Sequence, residues 1–92
     1  MSTSRRHVED VRRIYLGSVL LQLDDPSGAC KLLETIDSRL VPEPWKSEAR
    51  WALALGLERT GRRQSADSIF AVLAAESGSV AERARAHLHA RP

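Results

Sequence analysis

Imidazoles, thiols and paired carboxylates are the side chains most able to carry chemistry in a short chain. This one has three histidines and one cysteine in 92 residues. His87 and His89 lie two positions apart. On a helix that spacing turns their rings about 200° from each other. Such a pair cannot grip one metal ion from a single face, so the reading is a solvated helix end and no metal site. His7 stands alone. Cys30 has no histidine near it in sequence to take its proton. A thiol without that help is a weak nucleophile, and Cys30 reads as semi-buried and inert. A lone cysteine also forms no internal disulfide and fits a reducing, cytoplasmic setting. Asp24-Asp25 resembles a pair of catalytic acids, but Pro26 follows. An acid before proline is an ordinary helix start, so turn and cap duty explains both. No glycine-rich phosphate loop, His-Glu metal motif or nucleophile elbow occurs. The chain reads as a non-enzyme, with no cofactor implied.

Fourteen basic residues against twelve acidic give a net charge of +2 and a pI near 9.2. Arg59, Arg62 and Arg63 cluster in one stretch, and Arg83 and Arg85 lie near the end. A nucleic-acid surface through these five is a minor alternative. Glu58, Asp67, Glu76 and Glu82 interleave with them, and no aromatic stands among them for base stacking. The reading is a mixed, solvated face. The basics are nearly all arginine, which suggests a GC-rich, bacterial genome.

The elements that position these residues follow from hydrophobic spacing. Apolar residues make up 42% of the chain and aromatics only 4%. The bulk is leucine and alanine, which favour helix, and nothing alternates with the period of a strand. No apolar run approaches the roughly 20 residues of a membrane span. Ser4 is a plausible cap for a first helix over Arg5–Leu23. Asp25-Pro26 starts a second that runs to about Leu40, with Ala29, Leu32, Leu33, Ile36 and Leu40 on one stripe. Val41–Glu43 is a link, and Pro44 opens a third helix reaching Arg59. Gly61 breaks the chain, and a fourth helix spans about Arg63–Ala75. Ser79 and Glu82 have the spacing of a capping box. They predict a fifth helix from Val80, with Val80, Ala81, Ala84 and Leu88 inward and Glu82, Arg83, Arg85 and Arg91 outward.

The two halves repeat. A shift of 37 residues lays Leu16 on Leu53, Gly17 on Ala54, Leu20 on Leu57, Ala29 on Ala66, Leu33 on Phe70 and Ile36 on Leu73. It also lays the turn at Asp24 on the turn at Gly61. A fixed period of this size marks stacked helix pairs. With Leu53-Ala54-x-x-Leu57 followed by Ala66-x-x-x-Phe70, and the weaker Leu16-Gly17-x-x-Leu20 and Ala29-x-x-x-Leu33, the chain resembles the tetratricopeptide repeat family. It departs at Arg13 and Arg50, where that pattern has a bulky residue, and its period exceeds the usual 34. The resemblance implies an all-α fold: antiparallel helical hairpins stacked as a short right-handed α-solenoid, closed by a C-terminal capping helix. One domain would fill 1–92, with repeats at about 10–43 and 47–80 and the cap at 80–91.

In this family the first helix of each pair lines a concave ligand groove. Leu16, Gly17 and Leu20 are spent on packing against the second helix. That leaves Val11, Ile14, Tyr15, Ser18, Leu21 and Gln22 on another face, matched in the second copy by Glu48, Trp51, Ala52, Leu55, Glu58 and Arg59. By resemblance these twelve line the groove, with an apolar floor and charged margins. A contiguous apolar patch of that kind tends to be covered. The expected role is protein–protein interaction, as an adaptor, scaffold or chaperone-like subunit. The partner is a protein or peptide segment, or a second copy in a homo-oligomeric structural subunit.

Overall fold

Leucine and alanine do as their propensities suggest, and every regular element among the described residues is a helix. The structure is a computed structural model that describes the backbone of residues 2–91 and the side chains of residues 8–91. Helix α1 spans Ser2–Gln22, α2 Pro26–Leu33, α3 Trp45–Arg59, α4 Arg63–Ala74 and α5 Ser79–Ala90, with a single 3₁₀ turn at Ser38–Leu40 before α3. None of these helices is long and apolar enough to cross a membrane. At the start of α2, the Asp25 carboxylate accepts the Gly28 N–H at 3.0 Å, and Pro26 takes the first helical position.

The two turns that reverse the chain are built alike. Asp24 and Gly61 both have positive φ, at 63° and 87°. The Asp25 N–H donates to the Leu20 carbonyl and the Arg62 N–H to the Leu57 carbonyl, each at 2.8 Å. The Asp24 N–H donates to Leu21 and the Gly61 N–H to Glu58, each at 3.2 Å. This bonding satisfies the last carbonyls of a helix and requires a left-handed residue at its end. Glycine adopts that conformation freely, and aspartate is among the few other residues that tolerate it. Position for position, the two turns stand 37 residues apart.

Among the described residues, each helix packs only on helices one or two places along the chain. Helix α1 meets α2 and α3, α2 meets α3, α4 meets α3 and α5, and α5 returns to α3. Two apolar clusters result. Ile14 and Leu21 join Ala29, Leu33, Val41, Ala49 and Ala52 in one. Ala54, Leu57, Ala66, Phe70, Leu73, Val80 and Ala84 form the other, with Cys30 reaching in from α2. Leu53 and Leu55 touch both clusters. Helix α3 is therefore packed on two sides. The helices also approach closely at two glycines. A Cβ on Gly17 would stand 2.7 Å from Leu33 Cγ, and one on Gly56 2.7 Å from Cys30 Sγ.

Several expectations are corrected. Helix α1 begins at Ser2, with Ser4 inside its first turn; Met1 and the side chain of His7 lie outside the described residues. Helix α2 stops at Leu33, seven residues short of Leu40. There the Thr35 hydroxyl donates to the Leu32 carbonyl at 2.6 Å, and the Asp37 carboxylate accepts the Arg39 N–H at 3.1 Å. Local bonds of this kind compete with continuing a helix. Leu40 consequently faces solvent, and Val41, read as a link, is buried. Leu16, read as spent on packing, is 50% exposed. The capping box at Ser79 does not form. Gly78, at φ 108°, is the residue before the helix, and no side chain caps it.

Candidate partner groove

Position along α1 and α3 decides which side chains meet. Ser18, Leu21 and Gln22 lie on one edge of α1, and Glu48, Trp51, Ala52, Leu55 and Arg59 lie on the neighbouring edge of α3. Together with Arg83 of α5 they line an open cavity of about 340 Å³. Eight of the twelve residues read as groove-lining from the sequence thus stand around one hollow. The other four do not line it. Ile14, at 2% exposure, belongs to the core, and Tyr15, at 70%, stands in solvent. Val11 is half-buried on α1. Glu58 turns the other way, toward α5, where its carboxylate meets His87 and Arg91.

The wall contributed by α5 is the part that sequence reading misses. Arg83, assigned outward by its charge, has its guanidinium 5.5 Å from the centre of the Trp51 ring and paired with Glu48. Trp51 meets Phe70 edge-on at 5.6 Å and His87 at 5.7 Å, while Phe70 and His87 lie 4.7 Å apart. Edge-to-face contacts at such distances suit the charge distribution of aromatic rings. His87 Nε2 stands 2.9 Å from Glu58 Oε1. His87 is thus half-buried, against the expectation of a solvated helix end; His89 is exposed.

Arg83 stays exposed, as read, whereas Arg91 is corrected from outward to inward. It lies 5.3 Å from the centre of the Phe70 ring and is bonded to both Asp67 and Glu58. Its hydrogen bond to Asp67, then that to Glu58, raises the guanidinium pKa above its ordinary value. The signal lies in the spacing. Val80, Ala84, His87 and Arg91 follow i, i+4, i+7, i+11, which is one helical stripe.

Ser18, Glu48, Arg59 and Arg83 around the cavity each have a partner within the protein. The Ser18 hydroxyl donates to the Ile14 carbonyl at 3.1 Å, with no base beside it. Arg59 donates to the Leu21 carbonyl at 3.0 Å. Of the other arginines considered for nucleic acid, Arg62 is paired with Glu34 at 3.0 Å, and Arg85 donates to the Ala74 carbonyl at the end of α4 at 2.8 Å. Arg63 is exposed. Cys30 is buried in the α2–α3 contact, and burial, with Glu34 nearby, pushes its thiol pKa up. Among the described residues no three of His, Cys, Asp and Glu gather closely enough to hold a metal ion. Compared with known proteins, the chain matches no family model, no curated protein and no solved structure.

Proposed function

We infer that this chain is a non-catalytic protein–protein interaction module, a short right-handed stack of tetratricopeptide-like helix pairs that holds a partner helix or extended segment in its concave groove. The observation that carries the reading is the hollow between α1 and α3. Its floor includes Leu21, Trp51 and Leu55, and its rim carries Glu48, Arg59 and Arg83. An apolar floor with a few fixed polar groups is how proteins seat a ligand side chain and set its orientation. The packing order and the paired turns support the helix-pair architecture. The polar groups support binding over catalysis, because Ser18, Glu48, Arg59 and Arg83 each point to a structural partner and none forms a nucleophile–base pair.

Selection of a random peptide library on the immobilised chain tests the reading. Selected peptides are expected to shift the emission of Trp51, measured in a Trp45→Phe background, and to lose affinity at least tenfold on Leu55→Glu. Peptides that bind equally well to Leu55→Glu, or a library that yields none, would refute the groove assignment.

A further inference from the structure

The solvent side of α1 is as apolar as its buried side. Asp10, Ile14, Gly17 and Leu21 face inward. On the opposite face, within an arc of about 100°, lie Val8, Arg12, Tyr15, Leu16, Val19 and Leu23. Of these, Val8 is 53% exposed and Leu23 71%. The chain itself shows what covers such a face. Shifted by the internal repeat, these six positions fall on Trp45, Ala49, Ala52, Leu53, Gly56 and Thr60 of α3. Ala49, Ala52 and Leu53 there pack in the α1–α2 cluster, and Gly56 lies against Cys30 of α2. So the middle of the corresponding face of α3 is covered by the preceding helix pair, with Trp45 and Thr60 exposed at its ends, and the middle of the α1 face, at Tyr15 and Leu16, is bare. At the other end of the molecule, the outer side of α5 carries Glu82, Arg85 and His89, all exposed. That end is finished for water; the α1 end is not.

The bare face is also its own mirror under reversal. When two copies of α1 are laid antiparallel, Val8 falls opposite Leu23, Arg12 opposite Val19, and Tyr15 opposite Leu16. The same register runs the two α1 helices antiparallel along their shared length. It also opposes the two helix dipoles. A self-complementary patch is what a two-fold interface requires. We propose that the outer face of α1 is a homodimer interface, in which two copies pack antiparallel about an axis near Tyr15 and Leu16. The surface is separate from the groove, so either can exist without the other.

The test is solution mass across the micromolar to millimolar range, by sedimentation equilibrium. The expected outcome is a rise from 10.2 kDa toward twice that value. Leu16→Glu with Leu23→Glu is expected to hold the chain at monomer mass with unchanged helical circular dichroism, since both side chains are at least half in solvent. Leu55→Glu in the groove is expected to leave the dimer intact. In a Cys30→Ala background, Val8→Cys is expected to cross-link to Leu23→Cys of a second copy and not to itself. A wild-type chain that stays monomeric throughout, a dimer indifferent to Leu16→Glu with Leu23→Glu, loss of the dimer on Leu55→Glu, or cross-linking of Val8→Cys to itself would each overturn the proposal. Peptide binding measured on the monomeric double variant reports on the groove independently.

Discussion

Cys30 shows how burial sets reactivity. Its thiol is held above the ordinary range mainly by loss of water, with Glu34 adding to the effect and Arg62 opposing it. Iodoacetamide should therefore modify native Cys30 far more slowly than an unfolded control at neutral pH. The sign of the stability effect follows. A raised folded pKa contributes stability that is intact below the unfolded value. That contribution is lost as pH climbs through the folded value. Urea midpoints of wild type and Cys30→Ala are expected to converge as pH rises above that point. The two turns give a second residue-scale test. A methyl added at Gly61 would have no neighbour within 4 Å, so Gly61→Ala meets only the left-handed penalty of about 1–2 kcal/mol. Asp24→Gly relieves the same conformation in the first turn, and its midpoint is expected to rise by a smaller amount. Chemical denaturation checks both.

At the scale of elements, α5 is held by a clasp at its end. Arg91 joins α4 through Asp67 and α3 through Glu58, and it covers the Phe70 ring. Arg91→Ala is expected to lower stability by about 1.5–3 kcal/mol, the usual worth of hydrogen bonds to charged groups. Arg91→Lys should recover only part, because an ammonium lacks the fork that reaches both carboxylates. Hydrogen exchange in α5 is expected to speed up before that in α3. The same helix marks where sequence reading stops short. The offset of 37 residues, the Asp25-Pro26 start and the break at Gly61 are all legible, because caps and turns are set by local chemistry. The stripe through Val80, Ala84, His87 and Arg91 is legible in spacing but hidden by residue type, since histidine and arginine are ordinarily assigned to solvent. Bonds to Glu58 and Asp67 reverse that assignment, and those partners lie more than twenty positions away. The early end of α2 is hidden for the opposite reason. Ile36 and Leu40 continue the helical spacing past Thr35 and Asp37, whose side chains bond locally and stop it.

Across the whole molecule, α3 belongs to both apolar clusters, so neither can loosen without disturbing the other. The chain is expected to unfold in one cooperative step, with circular dichroism and tryptophan emission coinciding. Phe70 is fully buried beneath Trp51 and His87. Phe70→Ala is expected to cost about 3–5 kcal/mol. That approaches the whole stability of a small domain, so the variant should be largely unfolded at ambient temperature. Gly56→Ala drives a methyl into Cys30 and should cost about 1–3 kcal/mol, as overpacking does. Thermal melts check both.

The bridge between Glu48 and Arg83 gives the groove a wall that is latched electrically. Both side chains are partly open to water, so dissolved ions reach the pair. The screening distance falls from about 10 Å at 0.1 M ionic strength to about 3 Å at 1 M. Sodium chloride should therefore unlatch the α5 side and widen the mouth beside Trp51. An incoming segment with its own carboxylate could take over Arg83 from Glu48 without leaving the guanidinium unpaired. If the proposed docking holds, an acidic segment would enter by exchange, leaving Glu48 to water, and its affinity should depend less on salt than a newly formed charge pair would.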